Sequence, residues 1–329
     1  GDFLLKAGPL GAVMGIPLGA VIMIAIAASY GVMVQKRPVA GGEFCFAHFA
    51  AGRYHAYVCG WFLVLGYISI VPLNATALAV LGKFVLPGIF AKGYLYSVAG
   101  FDVYMGEVLL ASTATAFFAY LNYRGVKNVG STQLVMVVLL VAAVLLIGAG
   151  VSLHTGSRLE HLDPVFAPGR SALAGVLAML AIAPWLYVGF DTLTEAAEEF
   201  AFSPTQTFRL MVIAILAGGL MYIVVILATG LVEPWPAIVA AHPAWPTGYA
   251  VQRALGTPGL VFLSVAICMG IFTGINGFFL ASSRLLFSMS RARVLPPWFG
   301  ALRPGHGTPG NAVLFTAAVA LFAPWFGRQ

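Results

Sequence analysis

Residues 184–200 read Pro-Trp-Leu-Tyr-Val-Gly-Phe-Asp-Thr-Leu-Thr-Glu-Ala-Ala-Glu-Glu-Phe. An apolar run that opens near Ser171 predicts a helix through this point. It meets Gly189, then Asp191, then Glu195, Glu198 and Glu199. Gly189 costs roughly 1 kcal/mol relative to Ala in a helix. Asp191 costs about 2.5–3.5 kcal/mol at the centre of a membrane helix. A straight lipid-facing helix is therefore excluded, and a break at 187–190 is expected. In lipid, open backbone is tolerated only where it is buried in protein or lines a cavity. Two readings of the residues fit. In one, the opened backbone offers carbonyls from the first half-helix and amide N–H groups from the second, with Asp191 at the positive end of the second helix dipole. In the other, Gly189 only lets helices pack closely and Asp191 lies near the inner interface.

The surrounding chain is a membrane chain. Hydrophobic residues make up 60% and charged residues 9%, with a mean hydropathy of +0.95. Soluble domains carry about 25% charged residues. Eight long runs hold no Asp, Glu, Lys or Arg: 7–35, 54–82, 108–123, 128–157, 171–190, 210–232, 254–283 and 304–327. A helix needs about 20 apolar residues to cross the hydrocarbon core. All but 108–123 reach that length, and this one extends back through Tyr104 and Met105. The expectation is an all-α polytopic membrane protein of about eight spans, in one domain over 1–329.

The spans are placed at 11–33, 55–82, 105–122, 131–152, 172–200 (the broken one), 207–231, 258–288 and 309–326. Gly41-Gly42-Glu43 opens a short amphipathic piece before the second span. Ser203 is a candidate N-cap with Pro204 at the first helical position. The segment 233–256, with Trp235, Trp245 and Tyr249, reads as an outer interfacial belt with room for one short helix.

The net charge of +6 does not indicate nucleic acid, because the cations are spread over loops. Lys36, Arg37, Arg53, Arg124, Lys127, Arg209, Arg284, Arg291, Arg293 and Arg303 fall on one side. Lys6, Lys83, Lys92, Arg158, Arg170 and Arg253 fall on the other, where Arg328 would also lie. The richer side is expected to be cytoplasmic. Cys45, Cys59 and Cys268 are far apart in or near apolar runs, which suggests packed thiols. The histidines lack ligand spacing, and no Ser-His-Asp set or phosphate-binding loop is visible, so an enzyme is not expected. Asn74 and Asn276 are polar groups at membrane depth. Each fits either interhelical hydrogen bonding or the lining of a substrate path. Broken helices of the expected kind hold small charged substrates in many secondary transporters.

Four blocks carry a family resemblance. Tyr187-Val188-Gly189-Phe190-Asp191 with Ala197-Glu198-Glu199 is similar to the sixth-helix signature of the amino acid–polyamine–organocation superfamily of permeases. Ala7-Gly8-Pro9 with Pro38-Val39-Ala40-Gly41-Gly42 resembles that family's first loop and second helix. Asn122-Tyr123-Arg124-Gly125-Val126-Lys127 resembles the turn before its fifth helix. Ala281-Ser282-Ser283-Arg284-Leu285-Leu286, with Arg291, Leu295-Pro296 and Thr308-Pro309, resembles the end of the eighth helix and the start of the ninth.

The resemblance implies a leucine-transporter-like inverted-repeat fold truncated at both ends, with the runs as helices two to nine. The chain, which starts at Gly1 without Met, is then expected to be a fragment. It implies secondary amino acid transport by alternating access in the plasma (inner) membrane. The substrate contacts would include backbone at Tyr187, Val188 and Gly189, with Phe190 and Asp191 beside them. Trp185 would stack on or occlude the substrate, or else be a packed aromatic. Asp191 would be a gate or proton-sensing residue. Thr273 is a candidate oxygen for an ion site, and Na⁺ or H⁺ would be the coupling ion, with no other cofactor. The position of a lysine that replaces sodium in some relatives is Leu140 here, so the ion stays open. Glu198 and Arg284 are candidates for an inner gate, and Glu195 and Glu199 fit a solvated face equally well. Polyamine or organic-amine exchange, a channel and a non-transporting sensor are the competing functions.

Overall fold

The computed structural model describes residues 2–199, 202–241 and 245–326, without the side chains of 126–128. Lys127 in the charge count, Phe200 at the end of the broken span, His242 and Arg328 lie outside the residues or side chains described.

Helices dominate, in the order the apolar runs predict: α1 (Asp2–Lys36), α2 (Gly42–Val85), α3 (Pro87–Phe90), then a hairpin of β1 (Tyr94–Val98) and β2 (Phe101–Tyr104). There follow α4 (Met105–Arg124), α5 (Val126–Leu153), α6 (Ala172–Leu186), α7 (Thr192–Glu195), α8 (Thr207–Leu231), α9 (Trp235–Ala241), α10 (Pro246–Arg291) and α11 (Gly310–Phe322). Three of the longest helices are kinked, at Gly8, Gly52 and Gly256. Those kinks restore the boundaries read from the sequence. The amphipathic piece ends where the second span begins, and the interfacial belt ends before the seventh. The belt holds two helical pieces, α9 and the first turns of α10, where one was expected.

Among the described residues, five stretches are both long and apolar enough to cross a membrane: Asp2–Lys36, Gly42–Val85, Val129–Leu153, Pro204–Leu231 and Pro246–Arg291. The expected spans at 105–122, 172–200 and 309–326 fall short of this measure, the last because α11 has only 13 residues. Helix α4 has 20 residues but carries Glu107, Ser112, Thr113, Thr115 and Asn122. Helix α6 is 15 residues long because the break ends it, and at 1.5 Å per residue it rises only about 22 Å. The fold is also not purely helical. The connection after α2 forms an antiparallel hairpin in which Val98 pairs with Phe101. Its two turn residues, Ala99 and Gly100, both have positive φ (48° and 85°), which is the type I′ geometry that matches strand twist.

The chain divides into two compact units: residues 1–29, 138–190 and 208–267, and residues 30–137, 191–207 and 268–329. In the first unit, Ile147, Val151, Ala228, Val232, Ile238, Ala250, Val251 and Leu263 form an apolar cluster. The connection after α5 is tied back to α1, with Leu10 N donating to Val165 O at 2.9 Å. Trp235 is buried there, its indole N–H donating to Pro164 O at 3.0 Å.

In the second unit, Glu107 accepts from the Tyr104 backbone N–H at 2.8 Å, which starts α4. The stretch before α11 is clamped on the end of α4. Arg303 donates to Tyr123 O at 2.6 Å and lies over the Tyr123 ring. Cys45, Cys59 and Cys268 are free thiols.

Candidate functional site

The break occurs where the sequence places it. Ser171 caps α6 by accepting from Ala174 N at 3.2 Å, and Pro184 lies in the last turn. Tyr187 leaves helical geometry (φ −104°, ψ 3°), and Gly189 takes φ 110°. A side chain there would be strained, so only glycine turns the chain at this point without cost.

The Tyr187 ring is buried, and its hydroxyl donates to Ile16 O at 2.9 Å. A methyl group on Gly219 would stand 2.6 Å from that hydroxyl. The side chain of Tyr187 is therefore packed inside its unit, and what it has to offer a ligand is backbone. Trp185 is 61% exposed and Val188 is also exposed.

The segment after the break corrects one expectation. It is not a sustained half-helix. Helix α7 has four residues, and Ala197–Glu199 is a single 3-10 turn. A helix this short presents little dipole. Thr194 fixes the turn by donating from both N and Oγ1 to Asp191 O, at 2.9 and 2.8 Å. The Asp191 carboxylate accepts from the Tyr67 hydroxyl at 2.6 Å. At the far end, Ser203 caps the next turn as read, accepting from Thr205 N at 3.4 Å, with Pro204 first in the turn.

Both gate candidates, Glu198 and Arg284, are ion-paired, each with a different partner. Arg284 pairs with Glu199, through Nε at 2.9 Å and a second N–H at 3.2 Å. Glu198 pairs with Arg291 at 2.9 Å. Arg284 is also not a loop cation. It is 1% exposed, held by Glu199 and by Ser283 Oγ at 3.0 Å.

The solvated-face reading fails for Glu195, whose side chain is fully buried. It sits against the Gly41–Gly42 turn that opens α2, and Gly41 N donates to Glu195 O at 3.2 Å. Glu43, on the same turn, accepts from the Tyr30 hydroxyl at 2.8 Å and from the Tyr67 hydroxyl at 3.4 Å. Glu43, Asp191 and Glu195 thus converge with two tyrosines in one unit. Sequence reasoning missed this convergence. The signal was present in Gly41-Gly42-Glu43, but nothing in the linear order says which acid meets which turn.

Asn276 is fully buried and joins three helices. Its Nδ2 donates to Gln133 Oε1 at 2.8 Å and to Val129 O at 3.3 Å, and its Oδ1 accepts from Asn122 at 3.1 Å. Asn74 donates to Ile70 O at 2.9 Å, and its amide fills the space where Gly274 has no side chain. The Thr273 hydroxyl donates to Gly270 O at 2.8 Å, within its own helix.

Long apolar helices, with one apolar helix opened at Gly189, define a multi-pass membrane protein. The particular class follows from comparison with known proteins. The model of the amino acid permease family matches residues 3–326, and the chain belongs to that family. It is similar to an uncharacterized transporter of Rhizobium meliloti, 28% identical over 328 residues, covering 96% of this chain and 65% of that protein. It is similar to the branched-chain amino acid permease BcaP of Lactococcus lactis, 28% identical, covering 96% of this chain and 68% of that protein. It is also similar to the low-affinity putrescine importer PlaP of Escherichia coli, 24% identical, covering 90% and 63%. The chain thus spans about two thirds of the length of these curated relatives.

Proposed function

We propose that this chain forms the core of a secondary permease that carries small amino acids across the plasma membrane by alternating access. The observation that carries the reading is the helix opening at Tyr187–Asp191. A 15-residue apolar helix ends in mid-segment and leaves backbone where lipid tolerates none. The C-terminal carbonyls of α6 are the natural seat for a substrate ammonium group. Trp185, with its ring exposed, would stack on the substrate or close over it, and a cationic side chain would gain from its ring face. Phe190 and Asp191 would flank the bound molecule. In this reading the apolar runs are eight spans of an inverted-repeat fold, with the cation-rich side in the cytoplasm. Family membership supports transport as the activity.

A second reading, an amine or polyamine substrate, is favoured by Asp191 at the end of the opened stretch and by the similarity to a putrescine importer. Uptake of radiolabelled amino acids by the full-length protein in proteoliposomes, under imposed Na⁺ and pH gradients, tests both. Competition by leucine or methionine supports the first reading, and competition by putrescine alone supports the second. Absence of uptake or exchange with every amino acid and amine would sink the transport reading. Replacement of Trp185 by alanine should weaken substrate affinity about tenfold or more, equivalent to about 1.4 kcal/mol. Unchanged affinity removes Trp185 from the site.

A further inference from the structure

Glu195 and Glu43 remain after the substrate path has been drawn. Both oxygens of Glu195 and Oε2 of Glu43 are buried without a hydrogen-bond donor. Both acids stand at one turn: a methyl group on Gly42 would lie 2.7 Å from Glu195 Oε1, and Glu43 is the next residue in the chain. As two carboxylates they would repel and would supply no hydrogen. A bond between them exists only when one carries a proton, and two acids in one desolvated place share a proton for this reason.

Tyr30 and Tyr67 donate to Glu43 Oε1 and Tyr67 also to Asp191 Oδ2, while Cys45, His48, Glu198 and Arg291 line the cavity described below. The cations that follow on α10 are taken, Arg284 by Glu199 and Arg291 by Glu198. Among the described residues, no three His, Cys, Asp or Glu side chains are arranged to hold a metal ion. The ligand that needs neither volume nor further oxygens is the proton.

A route to it is present. A cavity of about 290 Å³ is lined by Ala40, Cys45, His48, Glu198 and Ser288, among others. Its wall includes Ala40, the residue before the Gly41–Gly42 turn. A methyl group on Gly41 would stand 2.6 Å from Ser288 Oγ, and one on Gly42 would stand 2.7 Å from Glu195 Oε1. The turn therefore packs on the cavity-lining Ser288 and on Glu195.

We propose that the Glu43–Glu195 carboxyl pair is a proton-binding site, loaded through this cavity, that couples substrate movement to a proton. One proton binds between the two oxygens on loading and leaves on release, so the pair changes charge by one per cycle. The coupling rests on the transport reading above, whereas the proton site does not.

Two measurements on the full-length protein separate these. Infrared difference spectra in lipid at neutral pH should show a protonated-carboxyl C=O band that is lost in both E195Q and E43Q. A band unchanged in both variants, or its absence from the unmodified protein, overturns the site. In proteoliposomes, an inward gradient of one pH unit should drive up to about tenfold accumulation, because one unit is worth about 1.36 kcal/mol per proton. In E195Q accumulation should vanish while counterflow exchange, which moves no net proton, persists. Accumulation by E195Q equal to that of the unmodified protein, or accumulation set by Na⁺ and indifferent to pH, overturns the coupling. If no substrate is taken up at all, the transport reading fails and the infrared result still decides the proton site.

Discussion

Glu195 and Glu199 lie four residues apart on the segment that follows the helix opening, and their surroundings are opposite. Glu199 remains partly accessible and accepts two hydrogen bonds from the buried guanidinium of Arg284. Glu195 is fully buried, and its neighbours are another carboxyl group and a glycine turn. The chemistry of the residue type is identical, so the difference is entirely one of partners. A buried charge with a forked, complementary partner is structural, because the pair neutralises itself. A buried acid without one must hold a proton or carry a large desolvation cost. Within one short segment the chain thus places a glutamate in a fixed ion pair and a buried glutamate without a cationic partner.

Three changes break or sharpen this contrast. The largest effect is expected from Glu199→Ala, which leaves Arg284 buried and unpaired. It should cost about 3–5 kcal/mol, read as a lowered thermal unfolding midpoint in detergent. Arg284→Met combined with Glu199→Leu should recover much of that loss, because an apolar pair of similar volume needs no charge partner. If the double variant is as unstable as the single one, the ion pair has a role beyond neutralisation.

Next comes Gly41→Ala. Gly41 has φ 98°, and a methyl group there would stand 2.4 Å from Ser288 Cβ. The strain and overlap together should cost about 2–3 kcal/mol, and the shift of the turn should also disturb the infrared band of Glu195. An unchanged band would separate the turn from the carboxyl pair.

The smallest effect is expected from Arg291→Ala. Its pair with Glu198 is exposed, and exposed pairs are worth about 0–1 kcal/mol. The loss should shrink further at high salt. A large loss would mean that the rim of the cavity, rather than Arg284, holds the segment.

Local features were legible in the sequence. Ser203 acts as a cap where side-chain chemistry says it should. The opening falls at Gly189 because no other residue type adopts its backbone conformation without strain. The kink at Gly52 separates the amphipathic piece from the second span, as the composition change there indicates. Less legible was anything set by loop geometry. The β1–β2 hairpin lies in a connection whose turn signal, Ala99-Gly100, is only half glycine. The four-residue length of α7 was hidden because the acids behind it look like an ordinary helix end.

The sequence by itself determined the membrane class, the helical order and the point at which one helix opens. Those follow from hydropathy, helix length and backbone sterics, which act over a few residues at a time. Only the tertiary structure decided which glutamate meets which arginine, that Asn276 ties α4, α5 and α10 together, and that Glu195 is sealed against Glu43. Those partners are some 85 to 150 residues apart for Glu199, Asn276 and Glu195 alike. Burial and partnership at that range are properties of packed surfaces, and no local pattern encodes them.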